Sequence, residues 1–328
     1  MKKTLLVGSC CFLLVGGGLK PVSVSAETPL IVAQNNNASQ QTAPVIRSQV
    51  ELISPGAEPR QELRFKPAVN AKQAMTVKTN MDMKSSISGK SMPSYKIPQS
   101  VMKVESVVTQ IEPNGDIHYK FSYTDADVVS DSTVPPELFK AMQSSVKQMV
   151  GMNGSFISDN RGQIKSGKFN LPEGTTNPMT KQLFDQVSNS FDQFSSPLPQ
   201  EAVGKGAKWR TSSKLSLSGI NLTQNVIYEL VDLKDNVATL NVSLEQQANS
   251  QQLNLPGMPS GANLALKSLS SKGQGQVLMR LDSMMPVRSN ISMNSNNEMS
   301  IKEPKSGEEI IVGTQLSMQM MLESLQPK

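Results

Sequence analysis

Residues 199–217, PQEAVGKGAKWRTSSKLSL, decide between two folds. A phosphate-cradling glycine loop needs G-x-x-x-x-G-K-[ST] followed by a helix, whose N-terminal N–H groups face the anion. Here the glycines run into Trp209, Arg210 and Thr211, and the chain then alternates at a period of two through Leu215 and Leu217. The stretch therefore reads as the start of a β-strand, and phosphate binding is set aside. Gly204 and Gly206 shape the turn into it, since a missing Cβ permits φ > 0. Trp209, the only tryptophan, is expected to anchor the strand in the core, with Lys205 and Lys208 left in solvent.

Working outward, the same pattern occurs earlier. AVNAKQAMTVKTNMDM (68–83) aligns with AVGKGAKWRTSSKLSL (202–217), placing Met75 on Trp209 and Met81 and Met83 on Leu215 and Leu217. NGDIHYKFSY (114–123) aligns with DNVATLNVSL (235–244), and residues 153–157 with 274–278. The offset is 134 in the first stretch and then holds at 121 across the hairpin, Pro135 over Pro256 and the last strand, the change being absorbed by the Ser/Pro/Gly-rich stretch Ile87 to Gln99, and this predicts an internal duplication of a β-meander. Asn114-Gly115 between alternating apolar runs is a strong hairpin signal, and Lys234-Asp235-Asn236 takes that part in the second copy.

Helical signals accompany the strands. Leu138, Phe139, Met142, Val146 and Met149 are spaced three and four apart over Pro136 to Val150, and residues 261–270 would be the weaker second-copy partner. A further helix is predicted after Asn177 and Pro178, with Leu183, Phe184, Val187, Phe191 and Phe194 on one stripe. The expected fold class is α+β: mostly antiparallel curved sheet from two related meanders, with two or three helices packed on one face. The expected division is a signal peptide at 1–26, a flexible linker at 27–60 with a short strand at Val45 to Ile53, a first meander with helices at 61–196, and a second meander at 197–328.

The N-terminus predicts export. Lys2 and Lys3 precede an apolar stretch to Leu19, and Val24-Ser25-Ala26 supplies small residues before Glu27, the layout of a secretory signal cleaved after Ala26. The apolar run is shorter than the roughly 20 residues of a membrane span. Leu6-Val7-Gly8-Ser9-Cys10 has the form of a lipobox, so membrane association is expected only if Cys10 is lipidated. Both cysteines, Cys10 and Cys11, lie in the segment expected to be removed, leaving a mature chain that holds its core by burial alone. The chain carries 32 basic and 27 acidic residues, and losing Lys2, Lys3 and Lys20 brings the net charge from +5 to +2. No nucleic-acid partner is expected, because phosphate affinity needs clustered Lys and Arg.

The stretch ELRFKPAVNAKQAMTVKTNMDM (62–83), the Asn-Gly hairpin and the restart PQEAVGKGAKWR (199–210) resemble an uncharacterised family of bacterial exported proteins and lipoproteins. Pro199, Val203, Gly206 and Trp209 match its P-x-x-x-V-x-x-G-x-x-W restart, whereas Lys72 and Met75 depart from the corresponding glycine and aromatic of the first copy. The resemblance covers about residues 60–325 and implies a fold and an exported life, without an activity. At fold level there is a distant analogy to lipoprotein-carrier half-barrels, which hold acyl chains in a concave sheet.

Catalytic chemistry has little material. His118, the only histidine, is expected on the solvent side of its strand, and without cysteine no Ser-His or Cys-His nucleophile system is indicated. The acids are scattered, and aromatic residues make up 4% of the chain, thin for a sugar cleft. Asp125, Asp127 and Asp131 begin like a calcium loop, but Ser130 and Pro136 occupy the positions of its glycine and glutamate. Met81-x-Met83 and Met318-x-Met320-Met321 carry soft thioethers, yet alignment with leucines makes Met81 and Met83 core or lining residues. No enzyme is expected, and no catalytic, cofactor-binding or metal-ligating residue is assigned; no cofactor is indicated. Two readings remain: a structural or interaction protein of the envelope with an unknown partner, and a carrier for a lipid or other apolar ligand in a concave sheet.

Overall fold

A computed structural model describes residues 48–94, 97–129, 134–172, 197–217, 219–253, 263–302 and 307–325. The signal segment with Cys10 and Cys11, most of the expected linker, Asp131, and the helix expected over Asn177 to Phe194 lie outside the described residues. In chain order the elements are β1 (Gln49–Ser54), β2 (Lys72–Ile87), β3 (Lys90–Ser91), β4 (Ser100–Ile111), β5 (Ile117–Val128), α1 (Pro136–Lys147), β6 (Asn153–Ser158) and β7 (Ile164–Asn170). There follow β8 (Lys208–Leu217), β9 (Ile220–Lys234), β10 (Val237–Ala248), β11 (Gln251–Leu253), β12 (Asn263–Arg280), β13 (Arg288–Lys302) and β14 (Glu309–Leu325).

These strands form one antiparallel sheet in the order β1-β8-β9-β10-β12-β13-β14-β2-β4-β5-β6-β7, with β11 beside β12 and β3 beside β2. The second meander thus precedes the first in space, and the two join where β14 pairs with β2 along 14 registered positions from Val312↔Ile87 to Leu325↔Ala74. The last strand, β14, is among the longest, running 17 residues. Its residues alternate, so that Val312, Thr314, Leu316, Met318 and Met320 share one face. Between β9 and β10 the chain turns on Asp235 and Asn236, both with positive φ (51° and 61°), as a two-residue hairpin loop with matching twist requires.

The sheet is curled. Gln61 exchanges backbone hydrogen bonds with Val203 (3.0 and 2.9 Å), beside the start of β8. Phe65, four residues on, donates its N–H to the Asn160 carbonyl in the β6–β7 turn (2.7 Å). Four residues reach at most about 14 Å. Nine strand spacings in a flat sheet separate β8 from β6 by about 43 Å. The two sides of the sheet must therefore bend toward each other at this end, and residues 55–71 cross it as a strap. Lys66 N–H to the Leu281 carbonyl (2.6 Å) and Leu198 N–H to the Arg161 carbonyl (2.9 Å) fasten further turns to the same end. Beneath the strap lies the larger core cluster, where Leu63, Leu198 and Val203 pack on Trp209, Val226, Leu230, Leu240 and Leu281. β1 and residues 55–60, part of the expected linker, belong to this folded body.

The α+β assignment with two or three helices is corrected by this structure, which is nearly all antiparallel β with one helix among the described residues. α1 forms where the sequence placed it, with Pro136 at its first position and Glu137 in its first turn. None of its residues is fully buried, and it rests on β5, with Gln143 donating to Asp127 (2.8 Å). Residues 263–280, read in part as a weak helix, are β12. The irregular spacing Leu264, Leu266, Leu269 arises from a β-bulge between Leu266 and Ser268, which adds one residue and returns Leu269 to the buried face.

Candidate functional site

The strand period gives the sheet two chemically opposite faces. On the described residues of β2, β4, β5, β8–β10 and β12–β14, the face that packs on the strap carries no Lys, Arg, Asp, Glu or His. At its centre Met293 pairs with Met318, which pairs with Met81, so three thioether side chains stand side by side on adjacent strands. Met320 opposite Ile291 and Met83 opposite Leu316 flank this row. Met293, Met318, Met320 and Met83 are half-buried while Met81 is buried. The copy alignment put Met81 and Met83 on this face as lining residues, and here the registers agree. Methionine suits such a surface because its unbranched chain adapts to irregular partners.

Where β5, β6 and β7 complete the inner face, aromatic rings replace methionine. Phe121 stacks on Phe156 (centroids 5.4 Å, planes 16° apart), and Phe169 meets both rings edge-on at 5.3 Å. Gly154 and Gly167 make room for them: a Cβ at Gly167 would stand 2.2 Å from Phe156 Cδ1. Burial at this corner pushes the Tyr119 phenol up to about 12. A phenol that keeps its proton longer when folded binds more protons than the unfolded chain above pH ~10, so stability falls as pH rises from there toward 12. Spectrophotometric titration of the native protein should therefore show a tyrosine that ionises only near pH 12. Native titration of all four tyrosines near pH 10 would contradict this.

A polar belt crosses the inner face, which elsewhere is mainly apolar with uncharged polar residues such as Thr79, Ser100, Ser106, Thr211 and Ser289 set among the hydrophobic ones. Ser213, Gln224, Gln246, Ser271 and Ser295 stand in direct cross-strand register on β8, β9, β10, β12 and β13. Ser48 extends the row at its edge, its hydroxyl 3.0 Å from that of Ser213. Gln246 donates to Gln224 (2.8 Å) and Ser271 to Ser295 (2.9 Å). One register step on, Asn297, Thr314 and Ser85 continue the belt across β13, β14 and β2. It separates the strap-end core from a second cluster of Ile220, Leu253, Leu264, Leu266 and Leu269. Sequence reading missed the belt, although Gln224, Gln246 and Ser271 interrupt three apolar alternations at matched positions.

The outer face is polar throughout its middle. β13 presents Arg288, Asn290, Ser292, Asn294, Asn296 and Glu298, bridged to neighbours by Ser317 to Asn294 (2.7 Å) and Arg288 to Glu323 (3.0 Å). A shallow depression lined by Arg210, Ser212, Asn225, Ile227, Ser243 and Glu245 lies on this face. Its polar groups pair among themselves and their neighbours, as in Ser212 to Asn225 (2.7 Å) and Arg210 to Glu51 (3.0 Å).

The residues singled out in the sequence are not gathered into one place. His118 is half-buried on β5, its Nε2 2.7 Å from Glu112 Oε1. Asp125 faces the Lys103 ammonium (2.8 Å), which holds its carboxyl below the usual range by hydrogen bond and charge. Asp127 accepts from Gln143 and the Val128 N–H, with Lys147 at 3.6 Å, and is lowered likewise. Both acids lie on a strand and are paired, so they do not form the calcium loop that their spacing suggested. In the GKGAKW knot, Gly206 has φ 80° as expected of a turn glycine. Gly204 is needed for a different reason, the passage of the strap against it: a Cβ there would stand 1.7 Å from the Ala57 carbonyl oxygen.

No curated protein matches the chain. Solved structures that align include OmpF of Salmonella typhi in complex with daunomycin, at 6% identity over 76% of this chain and 98% of that one, with a TM-score of 0.23. The toluene transporter TodX of P. putida aligns at 9% identity over 83% and 95%, with a TM-score of 0.20. The outer membrane protease OmpT of Escherichia coli aligns at 9% over 81% and 99%, with a TM-score of 0.19. The family resemblance has a narrower counterpart: residues 176–283, which include the restart and β8–β10, match a family of unknown function (DUF6263).

Proposed function

We propose that this chain is an exported, non-enzymatic binding module that holds an apolar or amphipathic ligand against the inner face of its curled sheet. The observation that carries the reading is the contrast between faces: methionine and leucine without charge inside, and Asn, Ser, Gln and ion pairs outside. A transmembrane barrel requires the reverse, an outward apolar band about 25 Å tall. Arg288, Asn290, Asn294 and Glu298 on the outer side of β13 leave no such band there. Apolar surface exposed to a concavity invites a ligand at about 25 cal/mol per Å² removed from water.

Export rests on the charged start, apolar stretch and small residues of positions 1–26. Descent from a duplicated meander is supported by order: the aligned stretches are the first, third and fourth strands of the runs β2-β4-β5-β6 and β8-β9-β10-β12. The experiment is native mass spectrometry of protein purified from its own host, followed by organic extraction. A stoichiometric lipid or other apolar compound is the expected result. Protein that arrives without one, and takes up none from vesicles, would sink the reading and leave the envelope-interaction role.

A further inference from the structure

We infer that the polar belt is the recognition element of that site, taking the uncharged ester linkage of a lipid whose hydrocarbon chains lie over the apolar rows beside it. The inference rests on the apolar-ligand reading and names the ligand class within it.

A matched row of polar groups across an apolar face is not what stability alone would select. Replacing both partners of a buried hydrogen bond by apolar groups of similar shape is close to neutral or stabilising. Yet Ser213, Gln224, Gln246, Ser271 and Ser295 keep strict register over five strands, flanked by Val226, Leu244 and Met293 on one side and Leu222, Ala248 and Leu269 on the other. The serines are buried and paired with each other, whereas Gln224, Gln246, Asn297 and Ser85 are only half-buried on the concave side. An amide side chain offers two N–H donors and two acceptor lone pairs, and the Gln246 to Gln224 bond uses one of each. The remaining N–H groups match an ester carbonyl, which accepts without carrying charge.

The inner face also says what does not bind there. Placing an ionised head group beside amides and hydroxyls that carry no opposite charge costs far more than they return, so a charged part of the ligand must lie outside the sheet. Along β13 the face runs from Ser289 to Ile301, about 40 Å at strand rise, with apolar rows at Ile291 and Met293 before the belt and at Met299 and Ile301 beyond it.

The test compares two neutral probes on the full chain, dioleoylglycerol and squalene, by titration with native mass spectrometry. The wild type should retain the diester about tenfold more tightly, the worth of one net hydrogen bond of the stronger sort. In the double variant Gln224→Leu/Gln246→Leu no partner is left unpaired, and the preference should fall to about twofold or less while squalene binding persists. Circular dichroism verifies that the variant keeps its sheet. Equal retention of both probes by the wild type, or a preference that survives in the double variant, overturns this inference alone. Retention of neither by the wild type overturns the apolar-ligand reading with it.

Discussion

Trp209→Ala is expected to lower stability by about 3–5 kcal/mol, the range for deleting a buried large aromatic. Trp209 is 1% exposed, stacks on Tyr228 with centroids 5.5 Å apart, and lies between Leu52 of β1 and Tyr228 of β9 in the cross-strand register. Strap residue Leu63, Leu198 just before the restart, and restart residue Val203 close the same cluster from above. Removing the indole therefore opens a cavity whose walls come from three separate parts of the chain, which limits how far it can collapse. Urea unfolding followed by far-ultraviolet circular dichroism measures the loss, since the variant has no tryptophan left to report by fluorescence. A midpoint within error of the wild type would mean that the strap end does not depend on this ring.

How much of this was legible beforehand differs between strands and their assembly. Alternation placed β5, β8 and β10 and sorted their faces, because a period of two is written in each strand separately. Asn114-Gly115 and Asp235-Asn236 announced their hairpins by local φ preference. The helix expected over 261–270 is a strand over its described residues, 263–270, and the misreading came from a bulge: one extra residue at Lys267 turned period two into a spacing that imitates a helix. What single strands do not encode is which strands meet. That β14 pairs with β2, folding the second meander back beside the first, is a long-range register with no local mark. The belt was hidden for the same reason. Gln224 or Ser271 alone reads as an unremarkable polar residue at an apolar position, and only the register from β8 to β13 lines them up.

Gly204→Ala is the sharper test of the strap. The added methyl carbon would meet the Ala57 carbonyl oxygen at 1.7 Å and the Pro59 carbonyl oxygen at 3.0 Å, both backbone atoms that cannot rotate away. Either residues 55–59 lift off the sheet end or the restart shifts beneath them. The first movement strains the Ala57 N–H bond to the Lys205 carbonyl (2.8 Å), the Gly204 N–H bond to the Pro55 carbonyl (2.9 Å) and the Gln61–Val203 pair. Overpacking costs about 1–3 kcal/mol or somewhat more, and each backbone bond lost adds about 1 kcal/mol, so about 3–5 kcal/mol is expected in urea unfolding followed by Trp209 fluorescence. Two residues away, a Cβ on Gly206 would meet nothing within 4 Å, and only its φ of 80° opposes a side chain. Gly206→Ala should cost about 1–2 kcal/mol, the penalty for a left-handed non-glycine residue. The order of the two variants separates the causes: if turn conformation alone governed the knot, Gly206→Ala would be the worse, whereas a strap pressed against the sheet end makes Gly204→Ala the worse by about 1–4 kcal/mol, about fivefold or more in the folding constant.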